Sequence, residues 1–333
     1  MTAGSIGEKI MKKPSTAVLL AAVCALASTI AVAQDFPRRP MTMVVPFAAG
    51  GVTDHVARLV ASKVADNVGF PVIVENRPGG GGQIAAGAVK QAQANGYTIM
   101  VGDIGTHAIN ASLYSKLSYD PAKDFRPVTE MVELPHVLVV PPDSPFKTMK
   151  DLVAGARQSP GRLTYGSVGI GSGAHLLGEM LKSGENLDIV HAPYRGSSQI
   201  VPDLLANRIA MFFGAVGSMA PLINEGKLRA LVVTDKRRTA LLADVPSAVE
   251  AGTPTLDLKV WFGILAPAGT PDAIVDRLNT EFVKALRHPE IRQRLETLGA
   301  RVIANTPSEF AAVAAADTVR LGNVVKSAGV RLD

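Results

Sequence analysis

The stretch Met43-Val-Val-Pro-Phe-Ala-Ala-Gly-Gly-Val-Thr-Asp-His-Val-Ala-Arg-Leu-Val60 decides the fold, because its hydrophobic period changes across one pair of glycines. Met43 to Val45 is an apolar run of strand character, whereas Val56, Leu59, Val60 and Val64 recur at helical spacing. The spacing predicts a helix over 53–66, with Thr53 and Asp54 as caps. Glycines before a helix let the backbone come close to another group, and the open N–H groups of the first turn carry partial positive charge that suits an anion. Two readings stay open here, a tight strand-to-helix connection or an anion site.

Downstream, Pro71-Val-Ile-Val-Glu75 supplies a second strand, which makes a βαβ unit and argues for a parallel sheet. Asn76-Arg-Pro-Gly-Gly-Gly-Gly82 then turns into the alanine-rich helix 84–94, and Tyr97 to Val101 is a third strand. The glycine run lacks a Gly-Lys-Ser/Thr ending, so it is no nucleotide P-loop. Residues 102–110 and 119–127 read as loops, the first carrying Thr106 and His107. A strand at His136 to Val140 leads into a new unit. There Leu163 to Val168 is a strand and Gly169-Ile-Gly-Ser-Gly-Ala-His175 opens a helix, the second glycine-rich turn of the same kind. Its Gly-x-Gly-x-x-Ala spacing fails as a dinucleotide fingerprint, because Asp188 precedes the next strand instead of ending it. Ser172 and His175 do not form a nucleophile elbow, since Ile170 and Ala174 occupy the flanking glycine positions. Pro193-Tyr-Arg-Gly196 opens another strand-to-helix connection, with Arg195 its one cation. The strand 209–213 ends at Gly214, Leu228 to Thr234 is another strand, and Trp261 anchors a strand that crosses back. The segments 271–286, 289–298 and 307–325 read as packing helices.

The chain has 333 residues, 47% hydrophobic and 19% charged, enough for two domains. Lys9, Lys12 and Lys13 precede the apolar run 17–27, and Ala31-Val32-Ala33 suits an export peptidase, so residues 1–33 read as a signal peptide cleaved before Gln34. Translation could start at Met1 or Met11. The single cysteine, Cys24, falls inside the apolar run, which leaves no thiol or disulfide chemistry to the exported protein. Losing Lys9, Lys12, Lys13 and Glu8 takes the formal charge from +5 to +3. With basic residues scattered and aromatics at 5%, no nucleic-acid surface is expected. The sequence shows no paired acids, metal cluster or other catalytic set, so neither an enzyme nor a cofactor is expected. The loops 46–54, 102–107, 167–175 and 194–198 would instead meet in one cleft between two α/β domains, at the carboxyl ends of their strands.

Many motifs in one order carry a family resemblance. Pro46-Phe-Ala-Ala-Gly-Gly-Val-Thr-Asp54, Val74-Glu-Asn-Arg-Pro-Gly79, Tyr119-Asp-Pro-Ala-Lys-Asp-Phe-Arg-Pro127, Pro193-Tyr-Arg-Gly196, Trp261-Phe-Gly263 and Ala266-Pro-Ala-Gly-Thr-Pro271 resemble the Bug family, the solute receptors of tripartite tricarboxylate transporters. The resemblance implies a type II periplasmic binding protein, with domain 1 over 34–137, domain 2 over 138–258 and a return to domain 1 over 259–333. A hinge would close the domains over a small carboxylate, which a monomeric receptor delivers to its membrane permease. The ligand site carried over comprises Ala49, Gly50, Gly51, Thr53 and Asp54 on one wall. Ser167, Gly169, Gly171, Ser172, His175, Arg195 and Gly196 lie on the other, with Thr106 and His107 as flanking contacts. Many relatives have an aspartate where this chain has Gly214, which predicts that ligands bearing an amino group are disfavoured. An exported hydrolase, a dinucleotide enzyme and a sensor for a signalling partner are the alternatives.

Overall fold

A computed structural model describes residues 36–327, so the signal peptide and the cleavage point before Gln34 lie outside the described residues. Within the described residues, 37–327 form one compact unit built on two sheets. In chain order the first sheet begins with β1 (Met41–Val45), α1 (Val52–Val68), β2 (Val72–Asn76), α2 (Gln83–Lys90) and β3 (Thr98–Asp103). After β3 the chain forms a π-helical turn, Gly105–Ile109, and a single helical turn, α3 (Asn110–Leu113), where the sequence reads as loop. Next comes β4 (Phe125–Leu134), and then β5 (His136–Val140) enters the second sheet. That sheet continues through α4 (Met149–Gln158), β6 (Thr164–Ser167), α5 (Gly173–Glu185), β7 (Val190–Pro193), α6 (Ser197–Leu205), β8 (Met211–Ala215), α7 (Val216–Asn224) and β9 (Arg229–Val233). The chain returns in β10 (Val260–Pro267), followed by α8 (Asp272–Leu286), α9 (Pro289–Thr297), β11 (Arg301–Val302) and α10 (Pro307–Ser327).

The six-stranded sheet has the order β11-β4-β10-β3-β1-β2 and the five-stranded sheet β7-β6-β8-β5-β9. Both are mixed, which corrects the expectation of a parallel sheet. β1 pairs in parallel with β2 and β3, but β10 is antiparallel to β3 and β4. Likewise β6 is parallel to β7 and β8, while β5 is antiparallel to β8 and β9. The antiparallel strands lie where the chain crosses between sheets. Only Pro135 separates β4 from β5, and the return crossing begins beside it: His136 N–H donates to Thr234 Oγ1 and Thr234 N–H to His136 O, 2.9 and 2.8 Å.

The strand β4 replaces part of the loop expected over 119–127 and runs on through Leu134. Its middle is buried on both faces, so no alternation marks it, and Glu130 and Glu133 interrupt the apolar run. The helix α7 also escapes the pattern, because Pro221 lies inside it. Trp261 is buried, as its bulk predicts. Its Nε1–H donates to Asp317 Oδ2 at 2.9 Å and its ring meets Phe310 edge-on, which ties α10 to β10.

Candidate functional site

The first wall is set by one carboxylate. Gly50 adopts φ +82°, a left-handed conformation that strains any residue with a Cβ. Its N–H donates to Asp54 Oδ2 at 3.0 Å, the same carboxylate accepts from Arg58 Nε and Asn76 Nδ2, and Asn76 Nδ2 also reaches Phe47 O. Burial pushes the Asp54 carboxyl up, but the hydrogen bonds from Arg58, Gly50 and Asn76 outweigh it and hold it below the usual range. Asp54 therefore braces its own loop and does not cap the helix. The helix instead starts from Gly51 with no side-chain cap, which corrects the assignment of Thr53 and Asp54 as caps. Gly51, Val52 and Thr53 line the cavity, so the first turn of α1 begins at it with no side-chain cap on its N–H groups.

At the end of β3 stands Asp103, which the sequence reading passed over. It is 2% exposed. Thr106 donates to its Oδ1 twice, from N–H at 2.9 Å and from Oγ1 at 2.8 Å. Burial pushes its carboxyl up against those hydrogen bonds. Thr106 and His107 sit behind Asp103 and line neither cavity, so they brace the site instead of flanking its ligand space. His107 packs edge-on against Phe125 at 4.8 Å, and burial lowers its imidazole to about 3.

The second wall is held by neutral groups. Gly169 and Gly171 take φ +133° and +82°, and Ser172 caps α5 by accepting from His175 N–H at 3.3 Å. Ser172 Oγ donates to Gly169 O at 2.7 Å. Beneath the turn, Ser167 Oγ bonds His191 Nε2 at 2.7 Å, and His175 Nδ1 accepts from Gly171 N–H at 3.3 Å. The rings of His175 and His191 lie 4.3 Å apart, Tyr165 stacks on His191, and the Tyr165 hydroxyl donates to Glu179. Burial lowers both imidazoles to about 4, so they are neutral at pH 7. With His175 Nδ1 bound to the backbone and the Ser172 hydroxyl bound to Gly169 O, the two side chains do not make a nucleophile–base pair.

The walls enclose an inner cavity of about 60 Å³. Four helices begin at it: α1 through Gly51, Val52 and Thr53, α5 through Ser172, Gly173 and Ala174, α6 through Gly196 and Ser197, and α7 through Ala215 and Ser218. Phe212, Phe213, Phe262 and Met219 give it an apolar side, and Asp103 and His136 are its titratable residues. Among the described residues no lysine or arginine lines it. An outer groove of about 410 Å³ continues past Asp103 and Ser172 between Gly79–Gly82 and Pro193–Arg195. Ala48 and Gly196 make the walls nearly touch, since a Cβ on Gly196 would lie 3.5 Å from that of Ala48.

Of the residues expected at the site, Gly51, Thr53, Ser172 and Gly196 line the inner cavity, and Gly169, Gly171 and Arg195 line the outer groove. Ala49 and Gly50 belong to the turn beside them, while Asp54, Ser167 and His175 lie behind the walls as supports. Gly214 lies inside β8, paired with Val137, and is not on the cavity surface that its neighbours Phe213 and Ala215 reach. Missed were Asp103, His136 and the phenylalanine face. Asp103 carried a usable signal, an acid at the carboxyl end of a buried strand.

The profile of the "Tripartite tricarboxylate transporter family receptor" matches residues 56–330. Among solved structures, Rpa4515 of R. palustris, described with adipate, is 36% identical, with a TM-score of 0.85 over 89% of this chain and 99% of that one. The periplasmic binding protein BugD is 32% identical at a TM-score of 0.84, over 89% and 99% of the two chains. MatC (Rpa3494) from Rhodopseudomonas palustris, described with bound malate, is 34% identical at 0.84, over 87% and 100%. Their two-domain fold is the fold of this chain.

Proposed function

The chain belongs to the tripartite tricarboxylate transporter receptors, the Bug family of periplasmic solute-binding proteins, which are not enzymes, and from that premise we propose how its cleft works. The inner cavity captures a small carboxylate, and the receptor delivers it to the membrane permease of a tripartite tricarboxylate transporter. The observation that carries this reading is the meeting of four helix N-termini at one cavity that no lysine or arginine among the described residues lines. Backbone N–H groups at helix starts recognise carboxylate oxygens through hydrogen bonds and partial positive charge. The adipate of Rpa4515 and the malate of MatC support a di- or hydroxycarboxylate of similar size.

Each sheet with its helices serves as one domain, 36–135 joined by 259–327 against 136–258, because β5 already belongs to the second sheet and moves the expected boundary from 137 back to Pro135. The crossings at Pro135 and between β9 and β10 form the hinge, so closure brings the loop before α1 against the loop before α5. The helix-start N–H groups of Gly51, Val52 and Thr53 hold one end of the ligand and those of Gly173, Ala174 and Ser197 the other, while Gly50, Gly169 and Gly171, whose N–H groups are bonded to Asp54, Ser167 and His175, shape the loops that present them. Asp54, Ser167, His175, Thr106 and His107 fix these loops, and Arg195 attracts anions at the groove mouth. The mature protein begins near Gln34, after export, and acts as a monomer.

Thermal unfolding of the chain from Gln34 against carboxylates, amino acids and nicotinamide dinucleotides tests this. A ligand that binds only the folded state stabilises it by about 2.7 kcal/mol at a hundredfold excess over its Kd. A shift with one class of carboxylates supports the receptor, and a shift only with dinucleotides overturns it.

A further inference from the structure

The inner cavity is polar where helices begin and apolar where strands of both sheets line it. Phe212 and Phe213 come from β8, Met219 from α7, and Val260 and Phe262 from β10, so both sheets contribute to the apolar side. None of these five is more than 3% exposed. Gly214 sets the shape of that side. A Cβ there would lie 2.5 Å from Met219 Cγ and 2.9 Å from Phe212 Cε1, closer than packed carbon atoms approach. Met219 and Phe212 therefore close over the bare glycine and leave no room for an acid at that position. The polar groups of the cavity are engaged or stand at helix starts. Thr106 and the Gly105 backbone bond Asp103, and His136 bonds the Leu134 backbone. Thr53, Ser172, Ser197 and Ser218 belong to the caps and first turns of the four helices, where the carboxylates are held. A hydroxyl on the body of the ligand would face carbon. Leaving water without a new partner costs a hydroxyl free energy, whereas a methylene or methyl gains by the same move.

We propose that Phe212, Met219 and Phe262 are specificity residues that receive the apolar middle of the ligand, so that the cleft selects dicarboxylates with an unsubstituted or alkyl-substituted chain over hydroxylated ones. This rests on the carboxylate-receptor reading and narrows it. The helix starts recognise the carboxylates whatever lies between them, and the apolar side reads the body. Gly214 acts through its neighbours, by letting Met219 and Phe212 close that side.

The test uses acids that differ in one substituent: succinate, L-malate and the 2-methylsuccinate of matching configuration, then glutarate and 2-hydroxyglutarate. Methyl and hydroxyl are close in size, so the first set separates polarity from bulk. Affinities are measured by calorimetry for the full mature chain and for Met219→Gln, which keeps the length of the side chain and offers an amide to a hydroxyl. The expected result is at least tenfold weaker binding of each hydroxy acid than of its unsubstituted partner, with 2-methylsuccinate within threefold of succinate. In Met219→Gln the penalty on the hydroxy acids should fall to threefold or less. If Met219→Gln does not fold, Phe262→Tyr, which adds one hydroxyl to the same set of residues, takes its place. Equal or tighter binding of the hydroxy acids, rejection of methyl as strong as that of hydroxyl, or a penalty that survives the substitution would each overturn the assignment. Failure of every acid in the panel to bind would overturn the receptor reading itself, a separate result.

Discussion

The two walls of the cleft present similar backbone turns and hold them by opposite means. On the first, a single ionised carboxylate, Asp54, ties Gly50, Arg58 and Asn76 together. On the second, Ser167, His191, His175 and Tyr165 form a neutral array beneath the turn. A charged brace is strong while its partners remain and fails when it is removed, because three donors lose their acceptor together. The neutral array rests on Glu179, which accepts from Tyr165 and pairs with Lys182 behind it, and its imidazoles are exposed to acid. The difference teaches that the loops can be loosened separately.

Removing the charged brace should have the largest effect. Asp54→Ala is expected to cost about 3 kcal/mol in urea unfolding and to weaken ligand binding at least tenfold. A loss confined to stability would show that the loop keeps its shape without the carboxylate.

Acid should act on the second wall. The imidazoles of His175 and His191 are lowered by burial from 6.5 to about 4, so the stability they hold is present above pH 6.5 and lost as pH falls toward 4. Between pH 7.5 and 5 the parent should lose on the order of 2 kcal/mol more than a His175→Asn, His191→Asn double variant. Equal losses would mean that the array does not titrate.

The first sheet carries the opposite trend away from its wall. Burial raises Glu130 from 4.5 to about 7 against a side-chain hydrogen bond from Asn305 Nδ2 at 3.2 Å. Its contribution is full below pH 4.5 and is lost as pH rises through 7. Glu130→Gln should therefore raise stability at pH 8 by about 2 kcal/mol and flatten the profile between pH 4.5 and 7. The smallest effect is expected at Arg195, on the outer groove. Arg195→Ala should slow ligand association less than threefold, and only at low ionic strength; a larger loss would make it a direct ligand clamp.

How far the sequence was legible follows from how each signal arises. The loops before α1 and α5 were readable because a change of period and a glycine pair are local. The strand β4 was not, since burial on both faces erases alternation and its two glutamates look like surface residues. The roles of single side chains were the hardest to read. Asp54 looks like a helix cap at its position, and only the return of Asn76 from β2 shows that it serves the loop. Asp103 gains meaning only when the second sheet brings Ser172 to the same cavity. His175 and His191 are 16 residues apart, and nothing in their spacing reveals that their rings meet.

The most direct test of the central claim is an amide NMR titration of the mature protein with its tightest-binding carboxylate. The account predicts the largest shifts at the helix starts, at the N–H groups of Gly51, Val52, Thr53, Gly173, Ala174 and Ser197. Shifts confined to Arg195 and the outer groove, with those amides unmoved, would contradict it.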